Sequence, residues 1–125
     1  MKENIIKLKT YQFSIRIIKL SRYLVTEQKE FVLSKQILKS GTSIGANTEE
    51  ADAGQSKKDF IAKLSIALKE AKETHYWLRL LFDSEYITKA MFDSMIKECE
   101  EIIYILTKIL TTAKANLKTI SQKAQ

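Results

Sequence analysis

Lys39-Ser40-Gly41-Thr42-Ser43-Ile44-Gly45-Ala46-Asn47-Thr48-Glu49-Glu50-Ala51 is the least ordinary run of the sequence. Small residues crowd it. Local propensity argues against a helix, because each interior Gly costs roughly 1 kcal/mol relative to Ala. Periodicity argues for one: Leu33, Ile37, Ile44 and Ala51 recur at intervals of four and seven, as one helix face requires. On the helix reading, Gly41 and Gly45 share a face and let another backbone approach. A bulky side chain at Gly45 should then force helices apart, whereas Gly45→Ala should gain propensity. Ser40, Ser43, Asn47 and Glu50 form a second, polar stripe.

The segments on either side repeat the helical period. Helix one is expected over about Ile5 to Val25. Ile6, Phe13, Ile17, Leu20 and Leu24 make its stripe, with Ile5, Tyr11, Ile15 and Ile18 beside it. Thr26 to Glu30 reads as a polar turn. Helix two is expected to end near Gly54, placed as a left-handed cap. Ser56 and Asp59 read as a capping-box variant opening helix three. That helix carries Phe60, Leu64, Ala67, Ala71, Thr74, Leu78 and Leu81 at alternating intervals of four and three. Helix four is expected to start at Thr88, with Ile87 and Phe92 as a hydrophobic staple. Its heptad runs Phe92, Met95, Cys99, Ile102, Leu106, Ile109, Ala113. From about Lys118 the apolar content falls, so the tail should fray.

Short connections favour antiparallel neighbours. The expected architecture is all-α: one domain over residues 1–125, an antiparallel up-down-up-down four-helix bundle. Ile66, Trp77 and Leu80 fall off the main stripe of helix three, and surplus apolar surface of this kind is expected at a subunit interface.

The 125 residues are enough to bury a core without staples. The absence of Pro and the presence of only three Gly suit long helices. A single Cys excludes an internal disulfide and gives no metal spacing, so a reducing cytoplasm is the expected compartment. No secretory signal is expected, because the basic N-terminus lacks a continuous apolar region. Ile102 to Leu106 is the longest apolar run and is too short to span a bilayer. The net charge of +6 is uneven. Residues 1–30 hold seven basic and three acidic side chains, and residues 101–125 hold four Lys and one Glu. Such asymmetry suits a polyanion, a membrane surface or an acidic neighbour. A solvated lysine-rich surface accounts for the same count.

Catalytic chemistry finds little support. His75 lacks a paired nucleophile or acid and reads as structural. Cys99 lies on an apolar stripe and reads as a small hydrophobe. Glu49, Glu50 and Asp52 are expected to pair with Lys or Arg of another helix or subunit, since no second cluster completes a metal cage. Asn47 is expected to be partly buried, with its amide satisfied by a backbone or interhelix hydrogen bond. Gly41 and Gly45 are not followed by the Lys-Ser/Thr of a phosphate loop.

Basic stripes remain. Lys9, Arg16 and Lys19 line helix one. Lys58, Lys69, Lys72 and Arg79 line helix three, with the Tyr76 ring among them. Cations neutralise phosphates and an aromatic can stack on an unpaired base. Glu70 and Glu73 dilute the field, and Lys–Glu pairs on helix surfaces are common.

Gln36-Ile37-Leu38-Lys39-Ser40-Gly41-Thr42-Ser43-Ile44-Gly45-Ala46-Asn47, then Ser56-Lys57-Lys58-Asp59-Phe60 and Leu64-Ser65-Ile66-Ala67-Leu68, resemble the four helix bundle protein family. It is also called the ribosomal-RNA intervening-sequence protein family, and the likeness covers roughly residues 8–115. Ser43, Ile44, Ala46 and Asn47 carry the motif. Many members have Pro where this chain has Gly45, and Ile-Ala-Glu-Gly where it has Thr48-Glu49-Glu50-Ala51. The resemblance implies an antiparallel four-helix bundle, often a pentameric ring, with no enzymatic activity and no cofactor. It implies genes inside ribosomal-RNA insertions or beside reverse transcriptases. The expected function is that of a non-enzymatic homo-oligomeric scaffold or accessory protein that binds RNA or DNA, with a reverse transcriptase as a possible protein partner. The alternative is a protein-interaction module that meets an acidic partner without binding nucleic acid. Peripheral membrane binding is disfavoured, because the bundle needs the apolar face of helix one.

Overall fold

Four helices carry these periodicities: α1 (Lys2–Thr26), α2 (Leu33–Asp52), α3 (Lys57–Asp83) and α4 (Lys89–Ala124). The computed structural model describes residues 2–54 and 56–124. Cross-helix pairs give the directions. Lys7 meets Asp52 while Ser21 meets Ser34, so α1 and α2 run antiparallel. Lys63–Glu50 and Thr74–Ser40 reverse α3 against α2. His75 with Glu100 and Phe82 with Phe92 do the same for α3 and α4. The bundle closes where Lys9 meets Glu101 and Arg16 meets Glu98. Each helix touches its two neighbours, and α1 lies diagonally opposite α3. No described helix is long and apolar enough to cross a membrane.

The stripes converge on one core. Ile6, Phe13, Ile17 and Leu24 of α1 meet Ile37 and Ile44 of α2, Leu64, Leu78 and Leu81 of α3, and Ile102 and Leu106 of α4. The α3 stripe is buried from Leu64 to Leu81, with Phe60 half-buried at its start. Fully burying each large aliphatic side chain contributes about 1.5–3 kcal/mol, so these residues outweigh the unfavourable propensity of α2.

The small residues of α2 create close approaches on two sides. Towards α1, a Cβ added at Gly41 would lie 2.7 Å from Cγ1 and Cγ2 of Ile17. One added at Gly45 would lie 3.2 Å from Ser14 Oγ and 3.3 Å from the Thr10 carbonyl oxygen. Gly41, more than Gly45, is therefore the tightest point. Towards α3, the buried Thr74 hydroxyl donates to Ser40 Oγ at 2.9 Å, against Ala67 and Ala71 of the same stripe. The expected polar stripe of α2 is thus divided: Ser40 is buried, Ser43 and Asn47 are half-buried, and Glu50 is exposed. Ser43 Oγ donates to Lys39 O, Asn47 Nδ2 to Ser43 O and Thr48 Oγ1 to Ile44 O, which gives each side chain a partner within its own helix.

The turns depart from expectation. Gly54 does not take a left-handed conformation; α2 ends in right-handed backbone at Ala53, with Gly54 N–H donating to Ala51 O at 3.1 Å. Its smallness serves space instead, since an added Cβ would crowd Ala51 O at 3.1 Å and Asp59 Cβ at 3.4 Å. Among the described residues, the left-handed positions are Lys29 (φ 52°) and Glu85 (φ 66°). There Tyr86 N–H reaches Leu81 O, the six-to-one bond of a Schellman end, while Glu30 N–H reaches one residue further back, to Leu24 O. α2 has no side-chain cap from Val32; the Glu30 carboxylate accepts from Val32 N and Ser34 N. Ser56 Oγ accepts from Asp59 N, and Thr88 Oγ1 from Met91 N. α4 stays helical through Ala124, although residues 118–123 are exposed.

Ile17 is fully buried and β-branched, so it has little rotamer freedom with which to yield. Gly41→Ala should destabilise the fold by about 1–3 kcal/mol through overpacking, read as a lower urea midpoint. In Gly45→Ala, a propensity gain of about 1 kcal/mol opposes crowding by the Thr10 carbonyl, so the midpoint should move less. An unchanged midpoint for Gly41→Ala would contradict the close approach.

Candidate nucleic-acid interface

The helix-three stripe forms as a surface. Lys58, Lys69, Lys72, Tyr76 and Arg79 are all exposed on the outer side of α3, opposite Leu64, Ala71 and Leu78. Arg79 places its guanidinium carbon 5.7 Å from the centroid of the Tyr76 ring. Tyr76 meets Trp77 edge-on at 5.1 Å. These contacts hold the ring where a base could stack on its open side. Burial, followed by repulsion from Glu73, pushes the Glu70 carboxyl above its ordinary value, and Lys69 and Lys39 pull it back.

The helix-one stripe is different. Lys9 Nζ lies 3.2 Å from Glu101, and Arg16 holds Glu98 at 2.8 Å and Ser94 Oγ at 2.8 Å. Both cations are half-buried in the α1–α4 seam, and a phosphate would have to compete with carboxylates already in place. Lys19 is exposed and makes no ion pair among the described residues. Because α1 and α3 are diagonal, the two stripes point away from one another. Sequence spacing found each stripe but carries no information on which α4 carboxylates it would meet.

Outside the stripes, the charge excess of the last residues sits on α4. From Ile102 onward that helix has no Asp or Glu, only Lys108, Lys114, Lys118 and Lys123. The uneven charge count signals this region without singling out any of these four lysines.

α1 presents a further surface. Leu8, Tyr11, Ile15 and Ile18 recur at intervals of three and four on its outward side, exposed by 58, 64, 40 and 37%. Ile5 continues the surface into a cleft of about 370 Å³ with Tyr104, Ile105 and Lys108. The surplus expected on α3 is smaller: Trp77 and Leu80 are half-buried, Trp77 packs against the chain's own core, and Ile66 remains exposed.

The other chemistry-bearing residues are absorbed by structure. His75 Nε2 is 3.1 Å from Glu100 at the α3–α4 seam. Lys7 bridges Asp52 and Glu49 and Lys63 holds Glu50, so the acidic cluster is neutralised by neighbouring helices. The hydrogen bond and charge of Asp52, with Glu49 behind it, raise the Lys7 pKa above its ordinary value. No three His, Cys, Asp or Glu side chains gather in metal-binding geometry among the described residues. A cleft of about 500 Å³ opens at the bundle end between Ala51, Phe60, Ile109 and Asn116. In the motif, Ile44 is core, Ser43 and Asn47 bond their own helix, and Ala46 is exposed beside Gly45.

Residues 2–108 match the family model described as 23S rRNA-intervening sequence protein. A crystal structure from Bacteroides thetaiotaomicron, of a protein with unknown function from the S23 ribosomal protein family, superposes with a TM-score of 0.88. It is 55% identical, and the alignment covers 89% of this chain and 99% of that one. No curated protein matches.

Cys99 gives a test of the interior. Its thiol is buried and donates to Ala71 O at 3.3 Å, and burial, then Glu100 and Glu98, push its pKa from 9.0 up to about 12. In the unfolded chain the thiol ionises from about pH 9, so stability should fall as pH rises from there towards 12. Alkylation at pH 9 should be slow in native buffer and fast in denaturant. Equal rates in the two would contradict a buried thiol.

Proposed function

Because this chain belongs to the 23S rRNA-intervening sequence protein family, we propose that it is a non-enzymatic scaffold that assembles with copies of itself and binds nucleic acid. The observation that carries the reading is α1, which is apolar on two opposite sides. Ile6, Phe13, Ile17 and Leu24 fill the protomer core, whereas Leu8, Tyr11, Ile15 and Ile18 face outward. Soluble monomers rarely leave such a stripe uncovered, and its three-four spacing is that of a helix–helix seam. A second copy meeting it would bury it. A pentameric ring, as the sequence resemblance implies, is the proposed stoichiometry, and the cytoplasm the proposed compartment.

RNA or DNA is the proposed ligand. Lys19, Lys58, Lys69, Lys72 and Arg79 supply exposed charge, Tyr76 a stacking ring, and Lys9 and Arg16 a reserve held by Glu101 and Glu98. Repetition around a ring turns modest single contacts into a multivalent surface. The same lysines would suit an acidic protein, including a reverse transcriptase with an acidic face, and that reading takes over if nucleic acid does not bind.

Two experiments test the halves separately. Light scattering on wild type at micromolar concentration should show an oligomer, and Leu8→Asp with Ile15→Asp should yield a helical monomer. A monomeric wild type would end the assembly claim. Fluorescence anisotropy across a salt series should show wild type losing affinity steeply with salt, because releasing counterions into a more concentrated solution gains less free energy. Lys69→Gln, Lys72→Gln and Arg79→Gln together should flatten the slope, by at most about 2 at about 0.7 per phosphate contact on single strands. Arg16 is left intact because its loss would also remove the Glu98 clamp. Tyr76→Ala should weaken single-stranded more than duplex binding.

A further inference from the structure

At the end of the bundle where α2 turns into α3, α4 outruns its neighbours. The antiparallel register set by His75–Glu100 and Phe82–Phe92 brings the start of α3 level with Lys114 and Lys118, and α4 then continues to Ala124. Between the two helices lies an open cleft of about 370 Å³, lined by Lys58, Ile61, Lys114, Leu117, Lys118 and Ser121. Ile61 and Leu117 are half-buried and form its floor, while Lys58 stands on one wall and Lys114 and Lys118 on the other. None of the three ammonium groups makes an ion pair among the described residues.

The reason is local. α4 supplies no acid beyond Glu101. Of the acids at this end of α2, Glu49 and Asp52 are held by Lys7 and Glu50 by Lys63. Asp59 is one position along from Lys58, hence about 100° further round α3, and two positions before Ile61, away from the cleft floor. Positive charge is therefore concentrated in a concave surface without a counterion from α2, α3 or α4. Concavity matters, because low-dielectric walls focus the field. Lys114 and Lys118 are one helical turn apart, about 6 Å along the axis, which sets two cations in file along the cleft.

We propose that this cleft is the principal docking site for a single-stranded nucleic acid. Its phosphates would lie between Lys58 and the Lys114–Lys118 pair, and its sugars and bases over Ile61 and Leu117. The proposal rests on the nucleic-acid reading above and moves the main contact from the outer face of α3 to the α3–α4 end. It assigns Lys114 and Lys118, which the stripe reading leaves out.

The test compares two full-length variants on a labelled single-stranded RNA in a salt series. One carries Lys58→Gln, Lys114→Gln and Lys118→Gln; the other carries Lys69→Gln, Lys72→Gln and Arg79→Gln. The cleft variant should lose at least about ten-fold in affinity and flatten the salt slope by about 2, and the stripe variant should lose less. Arginine at the same three cleft positions should retain affinity, which separates charge from any effect on folding. If the stripe variant loses binding and the cleft variant does not, the cleft is overturned and the nucleic-acid reading stands. If wild type does not bind RNA at low salt, both fall. If poly-glutamate competes as well as RNA at equal charge, the cleft is overturned as a nucleic-acid site and an acidic protein becomes the partner.

Discussion

The fold depends on how near α1 can come to α2. Gly41 faces Ile17 with no room for a methyl group between them, and Gly45 lies against the Thr10 carbonyl. That approach sets the position of Ile17 and Phe13, and through them the width of the core that α3 and α4 must fill. The narrowness is matched on α3, where Ala67, Ala71 and Thr74 present short side chains. Large aliphatic residues then take the remaining space from α1 and α4. Two interior glycines weaken α2 as an isolated helix, so its helicity is owed to packing, as for most protein helices.

The balance between packing and propensity explains what was legible in the sequence. Buried stripes are periodic, and the stripes of α3 and α4 could be read residue by residue from Leu64 to Leu81 and from Met95 to Ile109. Turn chemistry was legible where a side chain caps its own helix, at Ser56 and Thr88. It failed where the device is not local. Glu30 caps α2 from outside the helix, and Lys29 and Glu85, not Gly54, adopt the left-handed backbone. Surplus apolar surface was assigned to α3 and is larger on α1, because the side of a wide stripe that the core uses depends on where the neighbouring helices lie.

The candidate site shows the same division. Periodicity placed Lys69, Lys72, Tyr76 and Arg79 on one exposed face. It also grouped Lys9 and Arg16 as a basic stripe, yet they are matched to Glu101 and Glu98, more than eighty positions away. The charge of a helix face is a property of the face and of whatever packs beside it. For the same reason the cationic character of α4 from Lys108 onward shows fully only once the acids of α2 are seen paired to Lys7 and Lys63. Family membership is established over residues 2–108, and Lys114 and Lys118 lie beyond that span.

The order of the helices around the bundle also bears on how the chain reaches its structure. Three of the four seams join consecutive helices, and such local pairings form with little loop-closure entropy. The seam between α1 and α4 alone joins the two ends of the chain, and Lys9–Glu101 and Arg16–Glu98 tie it together near the surface. Closing it requires the other three seams to be nearly in place. The two ion pairs therefore act late in folding, as a latch on an assembled bundle, and contribute little to the nucleus from which it grows.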